Sequence, residues 1–221
     1  MAVMNIKRIF TWLSFITLIG LVIWGLIAAE QKSKRENEGI LLPDQITSTD
    51  HIWGREDALV TIVEYSDFQC PACRSYSNLI NKFMDEESST TARFVYRHFP
   101  LEQHPNAMPA AKSAEAAGKQ DKFFEMYKIL FERQPDWENS KDAKSIFITY
   151  AEELGLDKEK FSSDYELPEI ADRINNDYKS GVKAKVGATP TFFINGKQIT
   201  NPQSYEEFKK IIGDALPESI I

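Results

Sequence analysis

The 221-residue chain has few cysteines and histidines and no dense block of basic residues. It contains only two cysteines and three histidines, so a zinc site made of four thiolates is excluded. No block of Lys and Arg is dense enough to neutralise a row of phosphates, and the net charge is -7 with a pI of about 5.1. We therefore expect no nucleic-acid partner. No internal repeat is visible, and the 43% apolar content is enough for one domain with a core.

Charged residues are absent from residues 9 to 29. At a rise of about 1.5 Å per residue, this run roughly matches the ~30 Å hydrocarbon thickness of a bilayer and predicts a transmembrane helix. A cleaved signal peptide has a shorter apolar run of about 7 to 15 residues and small residues before the cut. Here the bulky Ile27 occupies a position before the possible cut where a signal peptide would have a small residue. We therefore predict an uncleaved anchor, with a cleaved signal as the alternative.

The polar regions beside this span complete the predicted domain organisation. Residues 1 to 8 form a short tail, and residues 30 to 50 are a polar linker that holds the domain off the bilayer. The globular domain is predicted over residues 51 to 221. Basic residues flank the span on both sides, so the Lys/Arg bias does not orient it.

A strand, a helix and a second strand are predicted around the cysteines. Residues 58 to 66, ALVTIVEYS, are rich in β-branched and aromatic types, which favours a buried central strand. From residue 71, PACRSYSNLINKFMDEE places its large apolar residues on one helical face. Residues 92 to 100, ARFVYRHFP, alternate and end at a proline, which indicates a strand. The order is β-α-β.

The rest of the chain is predicted to be a helical block followed by β-β-α. Helical spacing of aromatic residues dominates about residues 106 to 184, and these aromatics are interpreted as core. Residues 189 to 196, TPTFFING, end in Asn195-Gly196, which is typical of a tight hairpin turn. A capped helix closes the chain. The fold class is therefore α/β.

The pair Cys70 and Cys73 allows three interpretations. Zinc normally takes four ligands, and this pair supplies two, while His98 and His104 lie outside the usual H-x3-5-H spacing. We therefore predict no metal site. A purely structural disulfide stabilises least when it closes so short a loop. A redox centre accounts for more features than either alternative.

The position of the pair at the start of a helix supports the redox interpretation. Cys70 follows a predicted strand, and Pro71 suits the first position of a helix. The Cys70 sulfur then faces unpaired N–H groups and the positive end of the helix dipole, which lower its pKa. Cys73, one turn later, can resolve a mixed disulfide.

The combined motifs resemble those of a known family. VEYSDFQCPAC, the helical block and VGATPTFFING make residues 51 to 218 similar to the DsbA-like thiol:disulfide oxidoreductases of the thioredoxin superfamily. This resemblance implies a thioredoxin fold interrupted by a helical subdomain, an active dithiol at a strand-to-helix junction, and no cofactor. It does not extend to the anchor.

The resemblance also assigns roles around the dithiol. It implies that Pro190 follows a cis bond and lets neighbouring backbone pair with an extended substrate. Thr189 matches the position that tunes redox behaviour by contact with the reactive sulfur. Glu64 matches a buried acid, which would exchange protons with Cys73 if burial raises its pKa; an exposed strand carboxylate is the alternative.

The dipeptide between the cysteines departs from the strongly oxidising members. Pro71 and Ala72, with Thr189 and Pro190, are expected to contact substrate, but those members have Pro-His where this chain has Pro-Ala. Without that imidazole the redox strength is open. His98 and His104 are expected in surface or loop positions rather than at the site.

The predicted function is a membrane-anchored, extracytoplasmic oxidase that introduces disulfides into exported proteins. Its expected partners are substrate proteins with thiols and a membrane redox protein that reoxidises the dithiol. The compartment follows from the chemistry, because a cytosol would keep an oxidising dithiol reduced. An isomerase or reductase on the same fold is the nearest alternative, and a non-catalytic binding domain is another.

Overall fold

The computed structural model describes residues 19–21, 23–24, 40–42, 44–86 and 91–217. The chain divides into two units, Met1–Gly39 and Ile40–Ile221. Residues 19–21 and 23–24 of the first unit are helical and exposed, and the rest of the predicted anchor lies outside the described residues. Among the described residues, no helix is long and apolar enough to span a bilayer.

A five-stranded mixed sheet forms the centre of the second unit, with strand order β1-β3-β2-β4-β5. The parallel pair is β2 with β3, and each of the other neighbours is antiparallel. The strands are β1 (His51–Trp53), β2 (Val60–Ser66), β3 (Ala92–His98), β4 (Thr191–Ile194) and β5 (Lys197–Gln198). The predicted α/β class and the thioredoxin-like arrangement of strands are confirmed.

Strand β2 lies in the middle of the sheet and is buried on both faces. Its β-branched and aromatic residues suit this position, as in most parallel strands covered on two sides. Side chains alternate along the strand, so Ile62 and Glu64 face one layer, while Val63 and Tyr65 face the other. The acid predicted to be buried therefore lies on the same face as the larger core.

Helix α1 (Pro71–Glu86) connects β2 to β3 and covers one face of the sheet. Its predicted apolar stripe is present, because Ile80 and Phe83 are buried and contribute to the larger core. Leu79 is partly buried against the same core. This stripe fixes the rotation of the helix, and the first turn is thereby placed beside the end of β2.

Six helices follow β3 and precede β4 in the described chain. They are α2 (Ala107–Gly118), α3 (Phe123–Glu132), α4 (Gln134–Trp137), α5 (Ala143–Glu153), α6 (Lys158–Tyr165) and α7 (Pro168–Lys183). The sequence did not single out α2, because its buried face is made mainly of alanines, which give no stripe of large apolar residues. Helix α8 (Tyr205–Asp214) follows β5, and Ser204 caps it by accepting a hydrogen bond from the Glu207 N–H.

The predicted hairpin between β4 and β5 is confirmed. Asn195 has φ of 47° and Gly196 has φ of 81°. Two consecutive positive values are what a two-residue type I′ turn requires, and asparagine and glycine accept them at least cost. Asn195 also accepts a hydrogen bond from the Thr61 N–H at 2.8 Å, so the turn is fixed to β2.

The packed unit begins earlier than the predicted boundary at residue 51. The Leu42 N–H donates to the Gly196 carbonyl at 2.7 Å, and the Gln198 N–H donates to the Ile40 carbonyl at 2.9 Å. Ile46 packs against the smaller core. Residues 40–42 and 44–50, which the linker was predicted to include, therefore pack with the domain. Their apolar residues are isolated and have no periodic spacing, so the sequence did not reveal this.

Candidate active site

The two cysteines lie at the junction between β2 and α1. Both are free thiols. The Cys70 carbonyl accepts a hydrogen bond from the Arg74 N–H at 3.1 Å, so Cys70 immediately precedes the first helical residue, Pro71. Cys70 is 7% exposed and Cys73 is fully buried. Cys70 is thus the cysteine closer to solvent.

The surroundings of Cys70 stabilise its thiolate. A hydrogen bond from the Cys73 thiol, aided by the Thr189 hydroxyl and the N–H groups of Cys73 and Ala72, lowers the pKa of Cys70 to about 5, although burial opposes this. The Thr189 hydroxyl oxygen has no hydrogen-bond partner within the described residues, so its proton can turn toward the sulfur. In the thiol form, Cys70 donates a hydrogen bond to the Thr189 carbonyl at 3.4 Å, a contact that favours the thiol over the thiolate.

Cys73 has the opposite electrostatic environment. Burial, its hydrogen bond to the Cys70 sulfur and the nearby carboxyl of Glu64 raise the pKa of Cys73 well above the ordinary thiol value. Its proton is therefore retained at neutral pH. These pKa directions are the ones that attack through Cys70 and resolution by Cys73 would require.

We expect rapid alkylation to distinguish the two thiols. The rate of Cys70 modification by iodoacetamide should rise with pH to a midpoint near 5 and then level off, because the thiolate is the reacting form and the pKa of Cys70 is about 5. Cys73 should react only when the protein unfolds. Mass spectrometry of digests from pH 4 to 9 measures both rates. A midpoint near 8 to 9 for Cys70, or faster labelling of Cys73, would contradict the assignment.

Glu64 lies beneath the dithiol and is fully buried, as the sequence predicted. Its Oε1 accepts a hydrogen bond from the Ser66 hydroxyl at 2.6 Å, while Oε2 has no partner in the described part of the chain. Burial raises the pKa of Glu64 to about 8, although the bond from Ser66 opposes the shift. Most Glu64 side chains therefore carry a proton at pH 7.

Ser66 lies between the Glu64 carboxyl and the Cys73 sulfur. It was not among the site residues predicted from the sequence. Its hydroxyl donates to the Glu64 carboxyl at 2.6 Å and lies beside the Cys73 sulfur, to which it can turn its single proton and so favour the thiolate. Ser66 is itself buried. The i, i+2 spacing from Glu64 along a strand was the available signal, since it places both side chains on one face.

The loop before β4 completes the site. The Thr189-Pro190 bond is cis, as the resemblance implied. The Pro190 carbonyl accepts a hydrogen bond from the Asn201 side chain at 2.8 Å. Asn201 was not among the predicted residues, because nothing local in the sequence links it to Pro190. Pro71 and Ala72 are exposed beside Cys70, where an incoming protein can contact them.

The placement of the histidines differs from expectation. His98 is not a surface residue: it lies in β3 and is 1% exposed. Residues two apart in a strand share a face, so His98 lies on the same buried face as Tyr96. His98 and His51 each contact the same oxygen of Glu115, and although burial opposes it, these contacts lower the pKa of Glu115 below its ordinary value. His104 lies in a loop, as expected, 2.8 Å from Asp67.

Comparison with known proteins identifies the family. A family model described as Thioredoxin matches residues 46–214, and the chain belongs to this family. Among curated proteins, the Na(+)/H(+) antiporter NhaA of Herminiimonas arsenicoxydans is 36% identical over 190 residues, which are 84% of this chain and 29% of that protein. NhaA 1 of Mycolicibacterium gilvum is 38% identical over 156 residues, which are 69% of this chain and 24% of that protein. The chain thus spans less than a third of these relatives.

Solved structures share the whole fold. BdbD from Bacillus subtilis is 25% identical with a TM-score of 0.70, and the match covers 81% of this chain and 98% of that one. For α-DsbA1 of Wolbachia pipientis the identity is 21%, the TM-score 0.68, and the coverage 77% and 92%. The fold is therefore DsbA-like.

Family and geometry agree on the chemistry of the site. A thioredoxin-family chain with one stabilised and one protonated sulfur at a helix start has the groups that thiol-disulfide exchange requires.

Proposed function

We propose that the chain is an oxidase, which donates the Cys70-Cys73 disulfide to thiols of exported proteins. The observation that supports this direction is the stabilised Cys70 thiolate, with its pKa of about 5. A stable thiolate favours the reduced enzyme and makes Cys70 a good leaving group. The disulfide is then a correspondingly better oxidant.

The proposed reaction has two exchange steps. A substrate thiolate attacks the Cys70 sulfur, the Cys70-Cys73 bond breaks, and Cys73 leaves and is protonated by Glu64 through Ser66. A second substrate thiolate then attacks the substrate sulfur of the mixed disulfide, and Cys70 leaves as a thiolate. The substrate thiols lose two electrons to the Cys70-Cys73 disulfide, which becomes a dithiol. A membrane redox protein that accepts these electrons would restore the disulfide.

The reduction potential tests this proposal most directly. We expect a value between that of DsbA, about -120 mV, and that of thioredoxin, about -270 mV. The Cys70 thiolate raises the potential, while Ala72 provides no imidazole to raise it further. Equilibration against glutathione buffers, followed by thiol trapping, measures the ratio of dithiol to disulfide.

The dipeptide supplies a matched variant for the same measurement. Ala72→His should raise the potential, since an imidazole at the helix start adds a donor for the Cys70 thiolate. A wild-type potential at or below the thioredoxin value would overturn the oxidase assignment. Reduction of insulin without oxidative refolding of a reduced substrate would do the same and favour a reductase.

The proposed compartment is extracytoplasmic, with residues 9 to 29 as an uncleaved anchor. The oxidising direction supports this placement, because cytosolic reductants would keep such a dithiol reduced. We expect protease added to spheroplasts to digest the domain over residues 51 to 221, and alkaline carbonate to leave the protein in the membrane. A soluble mature form that starts near Glu30 would refute the anchor without affecting the enzyme assignment.

A further inference from the structure

Three side chains outside the dithiol converge from three elements of the fold. His51 comes from β1, His98 from β3 and Glu115 from α2. His51 Nε2 lies 2.9 Å and His98 Nε2 lies 2.8 Å from the same atom, Glu115 Oε1. All three atoms lie within 4.8 Å of one another. The exchange reaction uses none of them.

We propose that this His-His-Glu cluster binds one transition-metal ion, with zinc(II) the best match. Two imidazole nitrogens and one carboxylate oxygen suit zinc, whereas calcium and magnesium prefer oxygen ligands throughout. Zinc bonds of about 2.0 to 2.2 Å in a tetrahedral site hold ligand atoms about 3.3 Å apart. Each nitrogen would move away from the shared oxygen by roughly half an ångström. The two nitrogens, which lie within 4.8 Å of each other, would close toward the same spacing of about 3.3 Å. The ion would replace the protons that now bridge these atoms.

Aromatic neighbours hold both imidazoles in this orientation. The His51 ring stacks on Phe123 with ring centroids 3.5 Å apart and planes 8° from parallel. On another side, a Cβ atom at Gly118 would lie 3.1 Å from His51 Cε1, so this position has no room for a larger residue without movement of the ring. Tyr96 packs edge-on against His98 at 5.2 Å. The nitrogens are therefore preorganised toward Glu115, which reduces the entropic cost of binding.

The cluster has the exposure expected of a bound ion with one open position. The His98 and Glu115 side chains are 1% and 9% exposed, whereas that of His51 is 19% exposed. The His51 side therefore gives the ion access from solvent, from which a water would come as fourth ligand. Because the ligands come from the sheet and from α2, the ion would join the inserted helices to the sheet. Its role would be structural, separate from thiol exchange.

Zinc titration of the full-length protein tests this site. The protein should be free of a histidine tag, solubilised in detergent and in its disulfide form, so that neither thiolate competes for metal. We expect calorimetry with zinc chloride near pH 7 to give one ion per chain. His51→Gln should weaken binding by more than about 100-fold, because the loss of an outer-shell partner alone costs 10- to 100-fold. His104→Gln is the matched control and should bind as the wild type does.

Cobalt(II) provides a second measurement that depends on no variant. In the wild type it should saturate at one equivalent, with the intense visible absorption of a tetrahedral ion and no thiolate charge-transfer band. Zinc should also raise the melting temperature of the wild type and of His104→Gln, but not of folded His51→Gln.

Three results would overturn the proposal. They are no zinc uptake by the wild type, equal affinity in His51→Gln, or only the weak spectrum of six-coordinate cobalt. The three residues would then form a hydrogen-bonded ionic cluster that needs no metal. Because this site does not depend on the proposed oxidase, none of these results would bear on thiol exchange.

Discussion

Cys70→Ser is expected to abolish thiol-disulfide exchange, whereas Cys73→Ser should stop the enzyme at the mixed disulfide. Cys70 is the sulfur with a pKa of about 5 and partial access to solvent. Without it no covalent intermediate forms. Without Cys73, a substrate bound through Cys70 cannot be displaced from within the enzyme. Oxidative refolding of a reduced protein measures the activity, and non-reducing gels detect the trapped complexes.

A serine in the same helix supplies the control. Ser75 is exposed in α1 and donates a hydrogen bond to the Pro71 carbonyl, so Ser75→Ala should keep nearly full activity. If Cys70→Ser retained measurable exchange, or if complexes accumulated in Cys70→Ser rather than in Cys73→Ser, the roles of the two sulfurs would have to be exchanged.

Glu64→Gln should slow the departure of Cys73 by about 100-fold, within the range of 10²–10⁴ typical of general acid catalysis. Glutamine has nearly the same shape but cannot give up a proton at neutral pH. The pKa of Glu64 is about 8, so the acid is available below pH 8 and is lost as the pH rises through 8. The wild-type rate of this step should fall there, while that of Glu64→Gln should not. Stopped-flow measurement of mixed-disulfide formation at pH 6 to 9.5 tests this.

Stability measurements separate a chemical effect from a folding defect. The folded pKa of Glu64 is raised from 4.5 to about 8, so stability associated with the protonated acid is present at low pH and declines between those values. Glu64→Gln remains neutral and should be more stable than the wild type above pH 5. A variant that is slower but also less stable at pH 8 would indicate a packing defect instead.

Ser66 should behave as a positioning residue for the same proton. Ser66→Ala removes the hydroxyl that lies between the Glu64 carboxyl and the Cys73 sulfur. We expect this variant to show much of the loss of rate seen in Glu64→Gln. Ser66→Thr, which retains a hydroxyl, should restore the fall in rate near pH 8. If Ser66→Ala kept the wild-type profile, the proton would reach Cys73 from Glu64 directly.

Features encoded by short-range patterns were predictable. Three patterns each determine local geometry within a few residues: the β-branched and aromatic content of β2, the apolar stripe of α1 and Asn195-Gly196. The helix start at Pro71 then distinguishes the two sulfurs by the same local logic. The burial of Glu64 was implied by the family resemblance, with an exposed carboxylate as the alternative.

Features that depend on distant partners could not be read in this way. Strand β1 has three residues and exists because it pairs with β3. The contacts of His51 and His98 with Glu115 join residues 64 and 17 positions apart, which no periodicity encodes. The same holds for Asn201 beside Pro190. Tertiary pairing determined these positions, rather than propensity.

The segment 40–42 has a consequence for self-association. Leu41 forms an antiparallel bridge with Lys197, and the flanking hydrogen bonds cover the outer side of β5. An uncovered edge presents unpaired N–H and C=O groups that can recruit strands from other chains. A domain cut free at His51 would lose this cover and expose β5. Any soluble form of the domain should therefore retain residues 40 to 50 if it is to stay monomeric at high concentration.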